Sequence, residues 1–170
     1  CDHPEVSDRF IYSNDDFFVL EPIDEVPTLH RGPVSEVVGD YEQRHGPLKM
    51  TDHYRHGMAT TAKLLESWGH SDPLSYELHV PMVIEGATMA AAIRRAIADD
   101  PTIVALHKRT LCGVVAQVGG TLAKDHKVVG RERTWLEGQT FTSTEDDAFR
   151  NGEIGRRLRE MFPDPSPYER

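Results

Sequence analysis

The sequence predicts a mainly α protein: an antiparallel helical bundle of three to four helices with an extended N-terminal arm and a Pro-rich C-terminal tail. Three observations lead there. Apolar residues recur at three- and four-residue spacing through the middle of the chain, the period of a helix with one buried face. Short polar connections separate these stripes, which favours antiparallel neighbours. Breakers gather at the two ends, from Pro4, Pro22, Pro27, Gly32 and Pro33 at one to Pro163, Pro165 and Pro167 at the other. The expected organisation is an arm over 1–47 with a possible hairpin, a helical core over 48–126, and an irregular segment plus C-terminal helix and tail over 127–170.

Within the arm, Phe10-Ile11-Tyr12 and Phe17-Phe18-Val19-Leu20 flank Ser13-Asn14-Asp15-Asp16. Two aromatic and β-branched runs around a polar turn read as a hairpin, or as an extended arm that docks its aromatics on a neighbouring surface. A short helix is expected from Pro33-Val34 to Arg44, closed by Gly46-Pro47. The core helices follow. Thr51 or Asp52 caps a helix to Trp68, with Gly69 just past its end and Tyr54, Met58, Ala62, Leu65 and Trp68 on its buried face. Ser71-Asp72-Pro73 starts a second helix carrying Leu74, Leu78 and Met82, which kinks or restarts at Pro81 because proline lacks the N–H. Its stripe continues through Gly86, Met89, Ile93 and Ile97 to Asp99-Asp100-Pro101. A third helix runs from Thr102 to about Val118, with Val104, Leu111, Val115 and Val118 on one face, and Gly119-Gly120 ends it. Trp135 and Thr140–Thr144 have an extended composition. Thr144 before Glu145-Asp146-Asp147 reads as a helix start with acids placed for the dipole. A last helix, Glu153 to Phe162, is expected to bury Ile154, Leu158, Met161 and Phe162.

Charge narrows the function classes. With 28 acidic against 19 basic residues the 170-residue chain carries a formal −9. That argues against indiscriminate nucleic-acid binding, which needs Lys and Arg on phosphates. The excess acid sits mostly at helix starts and in turns, while residues 124–133 are locally basic: Lys124, His126, Lys127, Arg131 and Arg133 can grip an anion or an acidic partner. Two cysteines, Cys1 and Cys112, cannot make a disulfide framework, and reduced thiols fit a cytoplasmic protein. Apolar runs are too short to span a bilayer, so no membrane partner is expected. No signal peptide opens the chain, and its start at Cys rather than Met reads as an omitted or cleaved leader.

Nine histidines raise the question of a metal. His53 and His56 lie three apart near one helix face. His79 precedes Pro81, with Glu77 and Glu85 nearby, and His107 lies between Val104 and Leu111. A bundle can turn such groups inward, so His53, His56, His79, Glu85 and His107 are the candidate ligands for a transition metal such as zinc or iron. The alternative is that His53 and His56 are solvated and His107 is a hydrogen-bonded core residue. Cys112 reads as a buried inert thiol. No phosphate loop or nucleophile elbow is present, so no catalytic residue is assigned.

Two resemblances bear on function. His53-Tyr54 through Ala59, with Lys63-Leu64-Leu65 to Gly69, is similar to a helix in the N-terminal part of the β subunits of the nitrile hydratase and thiocyanate hydrolase family, over about 17 residues of this chain. It implies a helical, non-catalytic subunit that completes an active site on a larger partner. His56, the Leu64-Leu65-to-Gly69 helix end, Leu78-His79 and Glu85 also resemble the start of an HD-type phosphohydrolase. Val80 stands where that motif has Asp, so the metal-bridging residue is missing.

The leading expectation is therefore a small helical subunit of a multi-subunit hydratase- or hydrolase-like enzyme, acting through a protein partner or a second copy of itself. The alternatives are a metal-dependent helical enzyme, and a small-molecule binder with a pocket among Trp68, Met82, Met89 and His107.

Overall fold

The structure is a computed structural model, and it describes residues 7–49, 51–125, 127–131 and 138–164. The purely helical bundle is not what forms. The described residues make six helices and three small sheets, about 43% helix and 15% strand, a mixed α/β fold. The chain divides into two compact units: Cys1–Tyr12 with Glu25–Asp125, and Ser13–Asp24 with His126–Arg170.

In the first unit, helix α1 (Val34–His45) starts after Pro33 and ends at Gly46, whose φ is +73°. Helix α2 (His53–Ser67) starts where Asp52 accepts the Arg55 N–H, and Gly69 follows its last turn with φ +92°. Both helices match the sequence expectation, because proline and Asp at the start and glycine past the end are strong local signals.

The second expected helix is absent. Residues 73–81 form no helix: Leu74 makes an isolated bridge to Pro33 and the backbone bends at His79-Val80; strand β4 (Met82–Glu85) follows, and only then does helix α3 (Gly86–Asp99) begin. The reason lies in the burial pattern. Tyr76, Leu78, Val80, Met82 and Ile84 are all buried, a period of two that suits extended backbone. Leu74, Leu78 and Met82, four apart, satisfy both periods, and Pro81 decides against the helix.

Strand β1 (Arg9–Tyr12) lies antiparallel on β4, with Arg9 opposite Glu85 and Tyr12 opposite Met82. Phe10 and Tyr12 thereby pack on the core of Tyr76, Met82, Ile84, Met89 and Cys112. A parallel pair, β3 (Leu29–His30) and β5 (Thr121–Leu122), stands apart from it. Gly120 permits that pairing, since at its φ of +115° a Cβ would come within 2.6 Å of the Thr28 carbonyl oxygen.

Helix α4 spans Lys108–Val115, much shorter than the expected Thr102–Val118. Asp100 accepts both the Thr102 N–H and hydroxyl, a local turn that competes with helix, and Val104 is 87% exposed rather than on a buried stripe. A second core cluster joins Leu64 and Leu65 of α2, Ala92 and Ala96 of α3, and Leu111 of α4. Ile97 and Val118, expected on buried faces, are exposed.

In the second unit, strand β2 (Phe17–Val19) lies antiparallel on β7 (Phe141–Thr144), which is parallel to β6 (Lys127–Val128). The expected hairpin between the two aromatic runs is therefore not made: β1 pairs with β4, β2 with β7, each run filling a different core. Helices α5 (Asp146–Asn151) and α6 (Glu153–Met161) bury Ala148, Ile154 and Leu158 with Val128 against Phe18, Leu20 and Phe149. Met161 and Phe162, expected inside, are about half exposed, since α6 ends just past its last core residue, Leu158. Among the described residues no helix is long and apolar enough to cross a membrane.

Candidate functional site

Three chain segments, residues 28–32, 75 and 121–123, meet in the first unit through backbone hydrogen bonds. Arg31 N–H donates to the Ser75 carbonyl at 2.8 Å, and Ser75 N–H returns to Gly32 at 2.9 Å. Thr121 N–H reaches Thr28 and Ala123 N–H reaches His30, at 3.0 and 2.9 Å. The start of α4 is sewn to the rest by side chains. Tyr76 N–H donates to the Thr110 hydroxyl, the Thr110 N–H donates to Glu77 Oε1, and the His107 N–H donates to the Thr61 hydroxyl on α2. Glu77 thus satisfies a first-turn N–H that His107, at the N-cap position, leaves open.

Within this scaffold His79 is held at its ring Nδ1, its backbone N–H and the carbonyls flanking it. Asp125 accepts from the His79 ring at Nδ1 (2.7 Å, to Oδ2) and from its backbone N–H (3.1 Å, to Oδ1). The buried guanidinium of Arg109 donates to the carbonyls of Leu78 and Val80, the residues on either side. Burial alone would raise the Asp125 pKa, but the His79 hydrogen bonds and charge, with Arg31 behind them, hold it below the usual carboxylate range. An ionised carboxylate can only accept, so Nδ1 carries the proton and the basic lone pair of the neutral ring is on Nε2.

Glu77 and His79 alternate with the buried Tyr76, Leu78 and Val80 and are themselves half-buried. The charge of Glu77 acts on Tyr54 and His107, and that of Asp125 on Arg31. The Arg31 guanidinium lies 5.5 Å from the Tyr41 ring centroid, Tyr41 and Tyr54 are 6.0 Å apart, and Tyr54 and His107 only 4.6 Å. Tyr54 is 43% exposed over the whole residue, yet burial of its hydroxyl, followed by the charges of Tyr41 and Glu77, pushes its pKa well up. Burial also lowers the pKa of His107, which is 6% exposed, and Arg31 adds to the effect against Glu77. Burial lowers Arg109 as well, though a guanidinium stays charged. For Arg31, burial is outweighed by its Tyr41 hydrogen bond and the charges of Tyr41, Tyr54 and Asp125, and its pKa rises. These groups therefore act on one another as a single polar cluster, the kind of concentration of perturbed groups found at functional sites.

His107 Nε2 faces the Tyr54 carbonyl at 2.9 Å, which can only accept, so Nε2 carries the ring proton. Its Nδ1, Arg31 Nη1 and the Ser75 hydroxyl are buried with no hydrogen-bond partner among the described residues. Buried polar atoms without partners mark places where a water or ligand belongs.

The five expected metal ligands do not gather. His53 and His56 line a groove with Thr60, Asp100, Thr102 and Ile103, where His56 Nε2 meets the Lys49 carbonyl. His79 is engaged with Asp125, Glu85 stands opposite Arg9 at the end of β4, and His107 heads α4. No group of three or more His, Cys, Asp or Glu that could hold a metal occurs among the described residues. Trp68 packs on the Leu65 cluster while Met82 and Met89 belong to the Tyr76 cluster. Cys112 is buried, and burial with the Glu85 charge raises its thiol pKa, which opposes reactivity. In the basic stretch, Lys127 pairs with Asp16 and Arg131 with Asp147, while His126 and Arg133 lie outside the described residues.

Arg31, Asp125 and Arg109 were not singled out by sequence as site residues. A usable signal existed for Glu77 and His79: two ionisable residues at alternate positions of a run whose other positions are apolar. No protein-family model matches the chain, and no curated protein or solved structure matches it.

Proposed function

We propose that the polar face of the first unit is an acid–base site for a small polar molecule, with His79 as the proton-transfer group and Asp125 positioning it. The observation that carries this reading is the fixing of one imidazole at its ring, its amide and both flanking carbonyls. Such fixing sets the tautomer and removes the reorganisation that a mobile histidine would need at each proton transfer. Asp125 stabilises the imidazolium formed when Nε2 takes a proton, while Arg31, Tyr54 and His107 supply directional polar contacts. The test is turnover of a panel of small esters, amides and phosphate esters by the whole chain and by His79→Ala. The reading expects a loss of about 10²–10⁴-fold in the variant. Equal turnover by both proteins contradicts it.

A second reading, a subunit that docks on a partner or a second copy, is favoured by Val104. It is 87% exposed on the rim of the groove beside His53 and His56. Light scattering of the wild type and Val104→Glu tests it: an assembly that persists unchanged in the variant argues against that surface.

A further inference from the structure

We propose that the cleft between the segment after α2 and the end of α4 binds a small organic ammonium ion with an apolar body. The cleft has a volume of about 420 Å³, within the size range of small-molecule sites, and neither His79 nor Asp125 lines it. One wall comes from residues 69–74. The other comes from Gly113 and Val114 in the last turn of α4 and from Gln117 and Gly119 beyond it. Tyr76 ties this second wall in place: its hydroxyl donates to the Gly119 carbonyl at 2.8 Å, and a Cβ on Gly113 would lie 2.7 Å from its ring.

Two observations mark the cleft as a ligand site. Among the described residues only Asp72 and Gln117 adopt left-handed backbone without being glycine, with φ of +51° and +52°, and they line the cleft from opposite walls. Backbone strain of this kind gathers where a fold clamps a ligand. The deeper lining is also apolar, with Pro73 and Tyr76 buried and Leu74 and Val114 half-buried, while Ser71, Asp72 and Gln117 are exposed. An apolar floor under a few polar groups is the build of a small-ligand pocket.

Charge names the class of ligand. Helices α2 and α4 both end at the cleft, since Gly69 and His70 follow the last turn of α2. Each C-terminus carries the negative end of its helix dipole, and neither helix has a basic residue in its last turn to offset it. Asp72 adds a carboxylate whose Oδ1 accepts the Ser35 hydroxyl at 2.9 Å. Among the described residues no Lys or Arg lines the cleft. The two helix ends and the carboxylate therefore converge on one concavity without a fixed cation beside them. An ammonium group supplies that positive charge, and its apolar body covers Leu74, Tyr76 and Val114. An anion of the same shape would meet like charge.

The experiment titrates the 15N-labelled whole chain at about pH 8, where an ordinary histidine is neutral. Phenethylammonium, phenethyl alcohol and phenylacetate are added separately at constant ionic strength, so that the phenyl body is shared and the charge differs. The expected result is a saturable shift of the Gly69, Gly113 and Gly119 amides with the ammonium, about tenfold weaker binding of the alcohol, and no shift with phenylacetate. Asp72→Asn keeps a side chain that tolerates left-handed backbone and can still accept from Ser35, so it removes the charge alone. The ammonium affinity should fall about threefold or more in that variant, and the alcohol affinity should not change. No saturable shift with the ammonium, shifts confined to amides away from the cleft, binding of the alcohol or phenylacetate as tight as that of the ammonium, or an unchanged ammonium affinity in Asp72→Asn overturns the proposal. The comparison among probes in the wild type needs no variant to fold.

Discussion

Replacing Thr61 by Val tests how the site is held together. Thr61 is fully buried on α2, its hydroxyl donating to the Gly57 carbonyl at 2.8 Å and accepting the His107 N–H at 2.9 Å. Valine keeps the shape and removes the oxygen. The Gly57 carbonyl keeps its place in the helix ladder, but the His107 N–H is stranded in a buried position, which costs about 1–3 kcal/mol. Thr61→Ser keeps the oxygen and gives up one buried methyl, about 0.8 kcal/mol. Urea unfolding read by Trp68 emission in a Trp135→Phe background measures both, and amide exchange reports on His107 itself. The account expects Val to cost more than Ser and to speed exchange at His107, with the slope against urea unchanged. A Val variant within about 0.5 kcal/mol of the parent, or one no worse than Ser, would refute the claim that this hydroxyl anchors the start of α4.

Acidification should weaken the fold through His107, whose pKa in the fold lies below the ordinary 6.5. The unfolded chain then binds the extra proton first, so stability is complete above about pH 6.5 and falls as pH drops toward the folded value; the urea midpoint should be lower at about pH 5.5 than at about pH 7.5, by a margin that shrinks in His107→Phe. Gly113→Ala should destabilise by about 1–3 kcal/mol, because an added Cβ would lie 2.7 Å from the buried Tyr76 ring; a variant as stable as the parent in urea would mean α4 and Tyr76 are not packed so closely. Leu65→Ala, which empties a fully buried position in the α2–α3–α4 cluster, should cost about 2–5 kcal/mol by the same assay.

What the sequence made legible was local. Pro33, Asp52, Gly46 and Gly69 mark the ends of α1 and α2, and the Met89 stripe marks α3, because caps and helix periods act within a few residues. Over 73–85 two periods overlapped on the same leucines and methionine, and the choice between them was made by tertiary burial. The start of α4 was hidden for a similar reason: it depends on Thr61, forty-six residues away in the chain, and on Glu77. His79 and His107 stood out by residue type, yet their partners did not. Asp125 sat inside a stretch that reads as basic, and Arg31 inside the breaker-rich arm. Only the pairing of residues 28–32 with 75 and 121–123 brings them together.

The central claim is that Asp125 fixes the His79 ring with its proton on Nδ1 and its basic lone pair on Nε2. The nitrogen chemical shifts of the neutral His79 ring, compared between the parent and Asp125→Asn, test it most directly. The account predicts the Nδ1–H tautomer in the parent and loss of that preference in the variant. An Nε2–H ring in the parent, or the same tautomer mixture in both proteins, would contradict it.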